Sequence, residues 1–295
     1  MSREDLSFTS SCDGQEIVYY RWRTNRNPFG TVQIAHGLGE HALRYARLAV
    51  ALNDSGFNVY ANDHRGHGRT AKSPDAYGDF GEPGWDALVE DTVQLTGIAK
   101  TSEGELAVVL LGHSMGSFVA QQYLLGHSDL IAGCVISGSA APDLIAHLVD
   151  EVGERGLESL NDPFEPARTP FDWLSRDPLE VDAYIADALC GFNMSERSRL
   201  SAKAAWERAS DAGAIDTIRK DLPIYIFAGD ADPVNNHLEY LRPLAARYRA
   251  AGIRDLSEKY YLEGRHEMFN EINRAEVTAD LLAWLDRVIK AQLKR

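Results

Sequence analysis

The sequence predicts an α/β fold: a mostly parallel central sheet, helices on both faces, and one inserted helical cap. Three observations predict it. Short runs of β-forming residues alternate with stretches whose apolar residues recur at helical spacing. One run, residues 106–111 (LAVVLL), is apolar throughout and bounded by glycines, as a parallel strand buried on both faces should be. The alternation breaks once, where five of the eleven prolines (Pro142, Pro163, Pro166, Pro170 and Pro178) crowd into residues 142–178.

Taken in order, residues 5–10 and 15–23 read as two strands around the turn Cys12-Asp13-Gly14. Residues 31–35 (TVQIA) form a short strand ending in His36-Gly37. Leu43, Ala46, Leu48 and Leu52 mark a helix over 40–55, which Gly56 stops. Residues 57–61 are the next strand, and Trp85, Leu88, Val89 and Val93 mark the next helix. The apolar run 106–111 leads to a helix over 115–125 and a strand over 131–137. After the proline-rich stretch, residues 224–228 (IYIFA) resume the rhythm, followed by a helix at 238–250, a strand at 259–262 and a final amphipathic helix at 275–291. Strand–helix alternation implies right-handed crossovers, with the site at the carboxyl ends of the strands.

Charge and cysteine usage narrow the function. Lys+Arg total 30 against 44 Asp+Glu, a net charge of −14. That acidity argues against a nucleic-acid or anionic-membrane partner held by charge. Cys12, Cys134 and Cys190 are far apart and odd in number, so neither a disulfide framework nor a zinc knuckle is expected. No apolar leader opens the chain and no run long enough to span a bilayer occurs. The expectation is a soluble, cytoplasmic protein.

The candidate chemistry starts at Gly112-His113-Ser114-Met115-Gly116. This G-x-S-x-G stands between an apolar strand and a helix, the context in which such a serine is a strained, exposed nucleophile. Ser114 needs a base, because a free hydroxyl is a poor nucleophile near neutral pH. Among nine histidines, His266 lies just past the last strand and comes last in the chain, as the order Ser…Asp…His requires. The orienting acid belongs on the loop 229–234, where spacing alone leaves Asp230 and Asp232 both open. The oxyanion that forms in acyl transfer needs preorganised N–H donors. Met115, after the nucleophile, and Leu38, in the glycine loop 36–41, are the natural pair. Residues 63–68 (DHRGHG) invite a metal reading, but two glycines make the loop a turn and a structural brace instead. No metal or cofactor is expected.

Five segments, HGLGEH (36–41), NDHRGHGRT (62–70), GHSMGS (112–117), GDADPV (229–234) and GRHEMFNE (264–271), together resemble the monoglyceride lipase and lysophospholipase branch of the serine α/β-hydrolases. The resemblance implies Ser114 as nucleophile, Asp232 as acid, His266 as base, and Leu38 and Met115 as oxyanion donors. It also implies a cap where the proline-rich insertion lies. Residues on both sides of that insertion supply the site, so 1–140 and 222–295 should form one core domain and 141–221 the cap.

The expected reaction is hydrolysis of a carboxylic ester through an acyl-enzyme, on a monoacylglycerol or lysophospholipid. A carboxylesterase for short or aromatic esters is the alternative, and a catalytically silent binding homologue the remote one. Apolar stripes in the insertion either pack it down or line an acyl channel. Phe171, Trp173, Phe192 and Met194 are the candidate substrate contacts. Asp143, Asp150, Glu151 and Glu154 make its first helix unlike a basic interfacial helix, so membrane docking is not expected.

Overall fold

The computed structural model describes residues 2–104 and 106–292. Eight strands form one sheet: β1 (Ser2–Thr9), β2 (Glu16–Arg23), β3 (Gly30–Ala35), β4 (Phe57–Asn62), β5 (Val108–His113), β6 (Gly133–Ser137), β7 (Ile224–Gly229) and β8 (Leu256–Tyr261). Their spatial order is β1-β2-β4-β3-β5-β6-β7-β8. β1 and β2 pair antiparallel, and so do β2 and β4. Every pairing from β4 through β8 is parallel.

Burial follows position in the sheet. β3, β5, β6 and β7 are buried at every residue, which is why apolar residues dominate them. Edge strand β1 alternates between more and less exposed residues. Helices α1 (Ala46–Asp54) and α9 (Arg274–Gln292) pack on one face of the sheet. Helices α2 (Gly84–Ser102), α3 (Met115–His127) and, further along, the helix Arg242–Ala250 cover the other.

Boundaries depart from the sequence reading where polar residues or backbone shape decide them. β8 begins at Leu256 rather than 259 because it pairs with β7 from Ile224 onward. Its polar residues on the sheet edge gave no apolar signal. The helix expected from 40 opens as a separate 3-10 turn, Ala42–Tyr45, ahead of α1. The helix expected from 238 starts only at Arg242. Asn236, His237 and Leu238 have φ of 46, 51 and 74°, a left-handed stretch that no right-handed helix can include. The Asn235 side chain holds it by accepting from the Leu238 N–H at 2.7 Å.

Between β6 and β7 lies the helical insertion. It carries α4 (Ala146–Arg155), a 3-10 stretch Leu157–Phe164, a turn Asp172–Leu174, α5 (Pro178–Ala186), α6 (Glu196–Ala209) and the short α7 (Ala212–Ile215); α8 is then Arg242–Ala250. Asp177, Ser195 and Asp211 cap α5, α6 and α7 by accepting from the backbone N–H groups of Leu179, Ser198 and Ala214. α6 is seated on the core: Trp206 packs edge-on to Trp85 at 5.3 Å and against Phe118 at 4.8 Å. Among the described residues, no helix is long and apolar enough to cross a membrane.

Candidate active site

β5 runs directly into Ser114, and α3 begins at the next residue. Ser114 adopts φ 52°, ψ −123°. A non-glycine residue there stores about 1–3 kcal/mol of strain, which persists only if the surroundings impose it. Here they do. The Ser114 N–H donates to the Ser137 carbonyl at 3.0 Å, tying the turn to β6. The flanking glycines are steric necessities. A Cβ on Gly112 would stand 2.3 Å from the Gly116 carbonyl oxygen, and one on Gly116 would stand 2.1 Å from that of Ala35. Gly116→Ala should therefore destabilise the fold by about 2 kcal/mol or more. Urea unfolding followed by tryptophan fluorescence measures this. A loss below about 0.5 kcal/mol would contradict the packing.

His266 comes from the loop after β8 and is buried. Its Nδ1 lies 2.9 Å from Asp232 Oδ2. A carboxylate can only accept, so Nδ1 carries the proton and Nε2 keeps its lone pair. Asp232 is fully buried at the end of β7. Its Oδ1 accepts from the Val234 N–H at 2.9 Å, so one carboxylate both caps the turn Pro233–Asn235 and meets the histidine. Asp230 faces elsewhere: its Oδ1 accepts from the Glu263 N–H at 2.6 Å and joins the two loops. Of the pair that spacing left open, Asp232 is the one hydrogen-bonded to His266. His266 and Ser114 line the same cavity.

Backbone bonds clamp the His266 loop to the insertion. The His266 N–H donates to the Trp173 carbonyl at 3.3 Å, and the Glu267 N–H to that of Leu174 at 2.8 Å. The Trp173 ring packs 5.0 Å from the His266 ring. Beneath them the buried Glu271 accepts from the Arg265 N–H and from the Arg176 N–H and Nε, each at 3.0 Å. One carboxylate therefore fastens both segments.

The loop after β3 approaches Ser114 closely, since a Cβ on Gly37 would come 3.1 Å from the Ser114 Cβ. Glu40 Oε1 folds back to accept from the Gly37 N–H at 2.6 Å and from the Tyr45 hydroxyl at 2.8 Å. Arg44 binds Glu40 Oε2 at 2.7 Å and Glu267 Oε2 at 2.8 Å, joining this loop to the residue after His266. Among the described residues, the N–H groups of Leu38 and Met115 meet no acceptor. Both residues line the cavity.

Neutral imidazoles brace that loop from below. Burial pulls the pKa of His36 and of His67 down to about 3. His36 Nδ1 meets the Gly37 carbonyl at 2.8 Å, and its Nε2 accepts from the His64 N–H at 3.0 Å. Asp63 accepts from the Tyr20 hydroxyl at 2.8 Å, the Ala42 N–H at 3.0 Å and the Arg69 N–H at 2.8 Å. The fold's own donors use its lone pairs. His113 is likewise pulled to about 4 by burial, and its Nδ1 lies 3.3 Å from Ser137 Oγ.

The cavity encloses about 710 Å³ of space, part of it open to solvent. Two of the four expected substrate contacts, Trp173 and Met194, line it. The other two, Phe171 and Phe192, are not among its lining residues. Phe171 packs on Tyr184 at 5.2 Å, and Phe192 on Tyr77 at 4.7 Å and His67 at 5.0 Å, so both rings are spent on holding the insertion. Leu148, Val149 and Val152 of α4 supply apolar wall instead, with Leu157, Leu160 and Trp206. The α4 stripe was visible in sequence; Trp206 had no signal that set it apart from core.

His266 titrates against two opposed effects. Burial disfavours the imidazolium, but the carboxylates of Asp232, Glu267 and Glu40 together outweigh it and raise the pKa above the ordinary 6.5. A protonated Nε2 cannot take a proton from Ser114. Hydrolysis should therefore fall as pH drops, along a limb centred above 6.5. The pH profile of kcat/KM measures it, and a midpoint below about 6 would contradict the pairing.

Residues 26–273 match the family model Hydrolase_4, described as serine aminopeptidase, S33. The chain belongs to the Hydrolase_4 family. Within it, the chain is 30% identical over 303 residues to the monoacylglycerol lipase of Mycolicibacterium smegmatis, covering 96% of this chain and 97% of that one. It is 27% identical over 300 residues to the monoglyceride lipase of Mus musculus, covering 98% and 92%. A crystal structure of a highly thermostable carboxyl esterase from Bacillus coagulans superposes with a TM-score of 0.87 at 28% identity, covering 98% of this chain and 99% of that one. This Hydrolase_4 member therefore sits in the monoacylglycerol-lipase-like branch of the serine α/β-hydrolases.

Proposed function

We propose that this protein hydrolyses monoacylglycerols with Ser114 as nucleophile, His266 as general base and Asp232 as orienting acid. As a member of this branch it is a carboxylic-ester hydrolase. The observation that carries the residue roles is the buried Asp232–His266 bond of 2.9 Å at an apolar cavity shared with Ser114. Neutral Nε2 takes the Ser114 proton as Oγ attacks the ester carbonyl. The carbonyl π pair moves onto oxygen, and the Leu38 and Met115 N–H groups receive that charge. Collapse breaks the C–O bond, and the leaving alcohol takes the proton from Nε2. Water then repeats the sequence on the acyl-enzyme: Nε2 takes its proton, and the fatty acid departs as Ser114 is reprotonated.

Substrate class rests on the walls. Residues 141–221 are read as a cap whose α4 stripe and Trp173 enclose the acyl chain. With a net charge of −14, lipid would be drawn in by apolar contact rather than by charge. Three free cysteines are in keeping with a reducing cytoplasm. The likeness to a carboxyl esterase favours a second reading, a short-chain esterase. A chain-length series of monoacylglycerols and p-nitrophenyl esters separates the two. A kcat/KM maximum at medium or long chains with monoacylglycerol turnover supports the lipase. A maximum at acetate or butyrate without such turnover would overturn it.

A further inference from the structure

His41, Asp187 and Cys190 meet where the insertion touches the loop after β3. Their donor atoms all lie within 4.8 Å of one another. His41 is buried at the end of the glycine loop, while Asp187 and Cys190 follow α5. We propose that these three side chains form a binding site for a divalent cation of the zinc class, which fastens the insertion to the 36–41 loop.

The donor set carries the choice of ion. Imidazole, carboxylate and thiolate together are zinc ligands, with water completing a tetrahedron. His41 Nε2 and Asp187 Oδ2 stand 2.9 Å apart. Zinc bonds of about 2.0–2.3 Å place donor atoms roughly 3.3–3.8 Å from each other. Small side-chain rotations therefore admit the ion between them. Asp187 Oδ1 accepts from the Leu189 N–H at 2.9 Å, which orients the carboxylate from behind.

Charge also favours a cation. The charged groups acting on the thiol are Arg44, Glu40, Asp187 and Glu267. Carboxylates outnumber the one cation among them. Binding is a proton exchange. Cys190 must give up its thiol proton to bind the ion as a thiolate. The ion displaces the thiol proton and the Nε2 proton of the hydrogen bond. Nδ1 takes up a proton in turn, so one proton leaves to solvent. No electron moves, and affinity should rise with pH.

The position gives the ion a structural consequence. Beside it, the Gly39 carbonyl accepts from the Tyr184 hydroxyl at 2.9 Å and from the Gly191 N–H at 3.0 Å. Gly39 adjoins Leu38, so the ion would secure the insertion one residue from the cavity wall.

Cobalt titration of the full chain under a non-chelating reductant tests this. The wild type should take up one equivalent of Co²⁺ with a thiolate-to-cobalt charge-transfer band. Cys190→Ser should abolish the band, and Asp187→Asn should weaken binding about tenfold. Zn²⁺ should raise the melting temperature of the wild type but not of Cys190→Ser. No band in the wild type at tenfold excess Co²⁺ would overturn the site, as would a band that survives in Cys190→Ser. If Cys190→Ser does not fold, Asp187→Asn carries the test, and unchanged cobalt affinity there overturns the proposal.

Discussion

Ser114→Ala should lower kcat for a p-nitrophenyl ester by about 10⁴–10⁶-fold. The size follows from what is lost. Without Oγ no acyl-enzyme forms, and only direct attack by water remains. KM should change little, because the cavity walls are untouched. Folding should also be preserved. Alanine meets the same backbone strain at φ 52° as serine does, and the Ser114 N–H bond to Ser137 is a backbone bond. Steady-state kinetics with a thermal melt as control decides it. Activity within tenfold of wild type would remove Ser114 from the mechanism.

Asp232→Asn and Asp230→Asn should differ by about three orders of magnitude in kcat. The amide at 232 would present an N–H₂ or a carbonyl to His266 Nδ1, and the wrong tautomer costs about 10⁴-fold in a triad of this kind. It also removes a carboxylate that raises the His266 pKa, so the acid limb should move to lower pH in the residual activity. Asp230 only accepts from the Glu263 N–H, and an asparagine carbonyl can keep that bond. Its loss should cost less than tenfold. If Asp230→Asn proves the costlier change, the geometry of the loop has been misread.

The core of the fold was legible because burial dictates sequence there. β3, β5, β6 and β7 are buried along their length and mostly apolar, and the glycines around Ser114 answer to carbonyl oxygens that a Cβ would strike. The edges were less legible. β8, built of LSEKYY, is recruited by pairing with β7 rather than by its own pattern. The start of α8 was hidden because three successive left-handed residues left no apolar trace.

The candidate site divides along the same line. Chain order and strand ends pointed to Ser114 and His266. Proposing Asp232 rather than Asp230 rests on the resemblance and on the hydrogen bond to His266, since both aspartates share one loop and only direction separates them. The walls were the hardest part. Aromatic residues in the insertion are equally suited to packing and to lining. Phe171 and Phe192 took the first role and Trp173 the second. Glu271 was invisible as a clamp, because its partners Arg176 and Arg265 are brought to it only by the folded insertion.

The central claim is that Ser114 is an activated nucleophile opening onto the apolar cavity. An alkyl fluorophosphonate tests it most directly, since phosphonylation requires both the activated hydroxyl and the oxyanion donors. Intact-mass spectrometry after incubation at pH 8 should show one adduct per chain. Peptide mapping should place it on Ser114, and His266→Ala should slow labelling by at least 10³-fold. No adduct, or an adduct on another residue, would contradict the account.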